Sequence, residues 1–168
     1  MFEPVGSKPM NKFPPSVFRN PVHFLAFGLG SGTAPVAPGT FGTLAAIPFY
    51  LLLDQLSLPL YLLAVMLAFG VGVYLCERTS KDLGVHDHGG IVWDEFVGLW
   101  ITMLVAPPGW GWLLVGFLLF RLFDIWKPFP IGWLDKHVHG GLGIMLDDAV
   151  AGSFAWLLLQ IAAVAWYS

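Results

Sequence analysis

The run Leu142-Gly-Ile-Met-Leu-Asp147-Asp148-Ala-Val-Ala-Gly152-Ser-Phe-Ala-Trp-Leu-Leu-Leu-Gln-Ile-Ala-Ala-Val-Ala-Trp-Tyr167 decides the fold class. A helix crossing a bilayer needs ~20 mostly apolar residues, so this run can span with tilt or extend past the hydrocarbon core. Two adjacent aspartates nevertheless lie near its start. A charge at mid-helix costs at least ~2.5–3.5 kcal/mol on insertion scales, so an acid inside such a run is a site candidate by default. Ala151 and Gly152, one turn on, permit close approach of another helix.

The same pattern recurs outward from this run. Residues 41–53, 58–76, 91–106 and 110–126 are apolar, the last two near the short limit of ~17 residues for a span. Asp94 and Glu95 fall near the start of 91–106, and Asp124 near the end of 110–126. Pro107-Pro108-Gly109 makes a tight turn between those runs. Trp93, Trp110, Trp112, Trp126, Trp133 and Trp166 sit near run ends, as an aromatic belt requires. The chain is 57% hydrophobic and 11% charged, against ~25% charged in a soluble domain. The expected fold is therefore all-α: a polytopic membrane bundle of about five apolar helical segments. Residues 1–21 form a polar, proline-broken arm, and 22–168 a single integral-membrane catalytic domain. No secretory signal pattern is evident in the first twenty residues, so the chain is expected to stay in the membrane whole.

Two function classes drop out. A net charge of −3 with few basic residues leaves no cationic face for nucleic acid. The single cysteine, Cys76, excludes an intramolecular disulfide and reads as a small hydrophobe in its apolar run.

Between the arm and the run at 41 lies Gly28-Leu-Gly30-Ser31-Gly32-Thr33-Ala-Pro-Val-Ala-Pro-Gly39-Thr40, too rich in glycine and proline for a regular helix. With apolar sequence on both sides, it reads as a re-entrant or interfacial loop, because irregular backbone at membrane depth must be sheltered by protein or a watery cavity. Its amides and the hydroxyls of Ser31, Thr33, Thr40 and Thr43 suit an anion, and Thr40 is placed to cap the following helix. Gly30, Ser31, Gly32, Thr40 and Thr43 are thus phosphate-binding candidates. No lysine follows the glycines, so the loop is not a P-loop.

Lys8, Lys12 and Arg19 precede the first run. Arg78 and Lys81 separate the second from the third, and Lys127 and Lys136 the fourth from the fifth. The other two loops carry no Lys or Arg, so the positive-inside rule puts the amino terminus and both basic loops in the cytoplasm and the carboxyl terminus outside. Asp94, Asp124 and Asp147 then share one depth, within roughly 5–8 Å of the cytoplasmic helix ends at ~1.5 Å per residue. Such a cluster of acid oxygens suits a hard divalent cation, Mg²⁺, held by Asp94, Glu95, Asp124, Asp147 and Asp148. Helix-dipole stabilisation explains one acid near a helix start, but two adjacent pairs less easily. Adjacent acids on a helix diverge by about 100°, so one member of each pair is expected to face the partners directly.

Arg121 and Asp124 share a helix face at i, i+3. Read blandly, they form an ion pair that lets both enter the membrane. Read functionally, Arg121 and Lys127 hold phosphate, the guanidinium bidentately and the ammonium as a point charge. His86 and His88 flank Asp87 before the third run and serve as candidate leaving-group acids. With carboxylates so numerous, the His-x-His pairs at 86–88 and 137–139 argue less for zinc than for interfacial hydrogen bonding.

Four stretches, GSGTAPVAPGTFGTLAAIP from Gly30, GVHDHGGIVWDEFVGLWIT from Gly84, FRLFDIWKPFPI from Phe120 and HGGLGIMLDDAVAG from His139, give the chain a specific resemblance to the bacterial phosphatidylglycerophosphatase A family. The resemblance covers residues from about 21 to 152, with no departure at the acidic positions. It implies Mg²⁺-dependent removal of the terminal phosphate of phosphatidylglycerophosphate, giving phosphatidylglycerol in the bacterial inner membrane. The D-G-x-x-A-R continuation of the CDP-alcohol phosphotransferases is missing, since Ala149 follows Asp148. The rival class is a small cation carrier or channel subunit using intramembrane acids, and it leaves their confinement to one face unexplained.

Overall fold

The two longest apolar runs become the two longest helices. The computed structural model describes residues 13–168, all-helical with no strand among them; Lys8 and Lys12 of the expected arm lie outside the described residues. The helices are α1 (Pro21–Ala26), α2 (Pro38–Leu53), α3 (Leu58–Leu83), α4 (Trp93–Thr102), α5 (Trp110–Trp126), α6 (Ile131–His137) and α7 (Gly140–Tyr167).

By length and composition, α3 and α7 can each cross a membrane, with mean hydropathies of 2.1 and 1.7 over their most apolar windows. Only 17% and 28% of those windows is buried, unlike the core helix of a soluble protein. Their outward residues, Leu63, Met66 and Leu67 on α3 and Leu157, Ile161 and Val164 on α7, are exposed. Exposed apolar surface of this kind marks a partner or a membrane.

α4 is the central helix and departs most from expectation. The apolar run 91–106 gives only ten helical residues, about 15 Å and half a bilayer core. It starts late because Val92 is held out of the helix, its N–H donating to Ala26 O at 2.9 Å. It stops early in a turn at Met103–Ala106. Short as it is, α4 packs against α2, α3, α5 and α7, and Glu95, Phe96, Val97, Gly98, Leu99, Trp100 and Thr102 are all buried.

The most extensive helix contact is between α4 and α7. A Cβ on Gly152 would lie 2.5 Å from the Gly98 carbonyl oxygen, and one on Gly98 would lie 3.2 Å from the Asp148 carbonyl oxygen. The two backbones thus touch through glycine, as the Ala151-Gly152 pair predicts. Thr102 Oγ1 donates to Gly98 O and reaches Gly152 O across the same crossing. This contact places Asp148 against the first turns of α4.

Two further elements hold the ends of the bundle. His23 on α1 is buried, with Nδ1 2.9 Å from Ser16 Oγ and Nε2 3.1 Å from Asp82 Oδ2 on α3. The start of α7 is capped from α3 and its following loop. Gly141 N–H donates to Glu77 Oε2 at 2.5 Å, and Gly140 N–H to His86 Nε2 at 3.1 Å. The helix α6, in a loop that proline and glycine mark as irregular, sits under α7 and carries Asp135 to the site.

Candidate active site

Three helices bring their acids to one end of the bundle. Asp94 and Glu95 stand in the first turn of α4, Asp124 in the last turn of α5, and Asp147 and Asp148 two turns into α7. Because α7 begins at Gly140, Asp147 lies about 10 Å along it, deeper than the sequence suggests. α2 closes the fourth side with its amino-terminal turn.

The five carboxylates fall into two trios with one member in common. Single oxygens of Asp94, Asp147 and Asp148 lie within 4.8 Å of one another, and so do those of Glu95, Asp124 and Asp148. Contrary to the expectation from the sequence, the roughly 100° divergence between neighbours does not turn one acid of each pair away from the site. It sends Asp94 to one trio and Glu95 to the other.

Two cations are built into this site. Arg121 Nη1 donates to Glu95 Oε2 at 2.6 Å and makes a second, very short contact with Asp124 Oδ2. Lys127 Nζ donates to Asp147 Oδ2 at 2.5 Å and to Asp135 Oδ1 at 3.2 Å. Lys127 closes α5 in the left-handed region, φ 48°, a conformation that strains an L-residue and usually falls to glycine at a helix end. Thr43 Oγ1 gives Glu95 a further hydrogen bond at 2.9 Å.

Several polar atoms are left without partners. Asp94 Oδ1, Asp148 Oδ2 and Arg121 Nε are buried and make no hydrogen bond. Asp148 is only 2% exposed. An unpartnered buried carboxylate oxygen is expensive, and buried charges are normally paired or bound to metal. The donor set is all carboxylate oxygen, the chemistry of Mg²⁺, Mn²⁺ or Ca²⁺ rather than zinc. The residues present therefore fit a hard divalent cation.

The loop before α2 supports the site sterically. A Cβ on Gly39 would collide with Glu95 Oε1 and lie 3.1 Å from Arg121 Nη1 and Nη2, so only glycine admits these side chains. Gly32 presses on the Gly90 carbonyl just before α4. Ser31 Oγ is engaged with Gly28 O at 2.8 Å, which leaves it no nucleophile's geometry, and Gly30 faces Phe18 and Phe24. Thr40 does not cap α2. The cap is Ala37, itself left-handed at φ 47°, and Thr40 N–H donates to its carbonyl. Of the loop candidates, only Thr43 makes a hydrogen bond to an acid of the site.

Both histidines hold backbone. His86 Nε2 accepts from Gly140 N–H, and His88 Nδ1 accepts from Gly90 N–H at 3.0 Å, so in each the accepting nitrogen is unprotonated. Lost solvation pushes the His88 imidazole below its usual pKa, against the opposing pull of Asp87. His88 packs on Phe27, whereas His86 lines a pocket of about 240 Å³ with Asp87, Asp135, Val138, Gly143 and Ile144. Asp135, which links this pocket to Lys127, had no sequence signal beyond being one acid in a polar loop. Glu95–Arg121 was equally hidden, since it joins residues 26 positions apart on different helices.

Toward the other end of the bundle the core is apolar. Leu99, Met103, Leu113, Phe120, Ala155 and Leu159 are buried, and the acids do not continue as the polar track a cation carrier needs.

The fold and site together define a helical bundle with spanning-length helices and a polyacidic, cation-receptive centre at one end, backed by Arg and Lys. Comparison with known proteins gives this class a family. The family model for phosphatidylglycerophosphatase A matches residues 24–163, and the chain belongs to that family of phosphatases. It is 55% identical to phosphatidylglycerophosphatase A of Escherichia coli K12, over 88% of this chain and 86% of the relative. It is 49% identical to that of Haemophilus influenzae, over 83% and 87%. A putative phosphatidylinositol-3-phosphatase of Bacteroides thetaiotaomicron is 36% identical over 80% and 89%. No solved structure matches.

Proposed function

We propose that the chain is a Mg²⁺-dependent phosphatase that hydrolyses the terminal phosphomonoester of phosphatidylglycerophosphate to phosphatidylglycerol and phosphate. The observation that carries this reading is the meeting of five carboxylates with Arg121 and Lys127 in a member of this family. Asp94, Glu95, Asp124, Asp147 and Asp148 would hold the metal. When bound, Mg²⁺ supplies charge neutralisation at phosphate and a water of lowered pKa. Arg121 and Lys127 orient the phosphate and stabilise its developing charge. Thr43 and Lys127 keep Glu95 and Asp147 in place for ligation. His86, on the pocket lined by Asp135, is the leaving-group acid of this reading: once protonated, with its Nε2 released from Gly140, the imidazolium would give a proton to the glycerol oxygen and return to the neutral ring.

The direct test is phosphate release from phosphatidylglycerophosphate by detergent-purified protein. Turnover is expected with Mg²⁺ and absent after chelation. Release that survives chelation removes the metal from the reading, and none under any condition removes the substrate.

The setting is the bacterial inner membrane, with five apolar helices, α2 to α5 and α7, embedded and the acids at the cytoplasmic face. There a lipid headgroup reaches the site while its acyl chains stay in the bilayer. Support comes from the exposed apolar faces of α3 and α7 and from the basic loops around Lys81 and Lys136. In a background with Cys76 replaced, cysteines at 81 and 136 should resist an impermeant thiol reagent on intact cells, and one at 110 should react. The reverse order would invert the topology and move the site outside.

A further inference from the structure

The acids divide into two sets, each with its own cationic side chain. Arg121 occupies the trio of Glu95, Asp124 and Asp148 through its contacts with the first two. Lys127 touches the trio of Asp94, Asp147 and Asp148 through Asp147 alone. Asp148 belongs to both trios, is 2% exposed, and has one oxygen, Oδ2, with no partner. Asp94 Oδ1, in the trio with Asp147 and Asp148, is likewise buried and unpartnered. These two orphaned oxygens are observations independent of the clustering.

Charge decides how many ions the site takes. Five carboxylates against one guanidinium and one ammonium leave three negative charges uncompensated. One divalent cation would leave the site still negative, and it would repel the phosphate monoester that the proposed function brings in. A second turns the balance positive, so a phosphate dianion is attracted. Ligand oxygens on a six-coordinate ion at ~2.0–2.5 Å lie about 3–5 Å apart, so each trio needs little movement to close on an ion.

We infer that the chain binds two divalent cations, one in the Asp94–Asp147–Asp148 trio and one in the Glu95–Asp124–Asp148 trio, with Asp148 as the shared ligand. The charge argument rests on the phosphatase reading, and the ligand geometry does not. Asp148 therefore differs in kind from its neighbour: Asp147 serves one ion and answers to Lys127, whereas Asp148 ties the two positions together.

The test reads metal and leaves turnover aside. Full-length protein in lipid nanodiscs is titrated with Mn²⁺, and bound metal is counted while its paramagnetic resonance is recorded. Two Mn²⁺ per chain are expected, with the coupled spectrum of ions sharing a carboxylate. Asp94→Asn and Glu95→Gln should each retain one strongly bound, uncoupled ion. Asp148→Asn should lose the coupling and weaken both sites about tenfold or more. A single ion, two uncoupled ions or no binding in the unmodified protein would overturn the inference, and so would a coupled pair persisting in Asp148→Asn. The count in unmodified protein stands even if a variant fails to fold. Two coupled ions without phosphate release would uphold the metal centre and sink the phosphatase reading.

Discussion

Asp94→Asn is expected to lower turnover by about 10³-fold or more, since a lost ligand charge removes several kcal/mol of transition-state stabilisation and each 1.36 kcal/mol is about tenfold. What makes this variant informative is its predicted effect on stability. Asp94 has no ion-pair partner, and its Oδ1 is buried without a hydrogen bond. In metal-free protein the carboxylate thus bears desolvation with no compensating contact, and the isosteric amide removes that charge. Metal-free Asp94→Asn should therefore melt in detergent no lower than the unmodified protein. Asp124→Asn offers the contrast, because it replaces Arg121's charged partner with a neutral amide and should melt lower. If Asp94 were a structural acid, its replacement would depress melting and spare turnover. Near-normal turnover in Asp94→Asn at saturating Mg²⁺ would remove it from the metal shell.

The acids were legible because charges are conspicuous in long apolar runs. Each of the five sits in an apolar run where a charge is unfavourable, and the basic loops order the runs so that all five meet at one end. α5 was legible to the residue, since Pro107-Pro108-Gly109 starts it and Lys127-Pro128 ends it. Less of α4 could be read, because hydropathy reports burial and burial here comes from protein. Its ends are fixed by the Val92–Ala26 hydrogen bond and the turn after Thr102, neither of which has a local signature. The extension of α3 through Glu77, Arg78 and Lys81 to Leu83 escaped a reading keyed to apolar runs, although the i, i+4 pair Glu77–Lys81 is a helical signal.

Within the site, the sequence revealed the acids but not their grouping. Adjacent acids on one helix looked redundant, and only the α4–α7 crossing at Gly98 and Gly152 shows that Asp94 and Glu95 serve different trios. The glycine-rich loop was assigned to phosphate through its amides. Its visible work is steric: Gly39 admits Glu95 and Arg121, and Gly32 admits the backbone before α4. Sequence shows that small residues are required, and only three-dimensional neighbours show what they make room for.

Arg121→Lys tests whether the guanidinium grips phosphate or only neutralises Glu95 and Asp124. Both carboxylate contacts run through Nη1, and Nε is buried with no partner. A lysine ammonium can replace the point charge at Nη1, so folding should survive. It cannot present the planar two-pronged edge formed by Nε and Nη2, which matches two phosphate oxygens at once. A phosphate-gripping Arg121 thus predicts a fall of about 10²-fold in kcat/KM for Arg121→Lys, within the few kcal/mol assigned to a charge-stabilising donor. Thermal stability in detergent should stay nearly unchanged. Arg121→Met is a different experiment, because it strands Glu95 and Asp124 without their cation and should destabilise by roughly 3–5 kcal/mol. Adding Asp124→Asn to that variant should restore part of the stability but none of the turnover, since the two residues couple through one contact. Wild-type kinetics in Arg121→Lys would show that the fork is unused. Lys127 and the amino-terminal turn of α2 at Gly39 would then hold the phosphate.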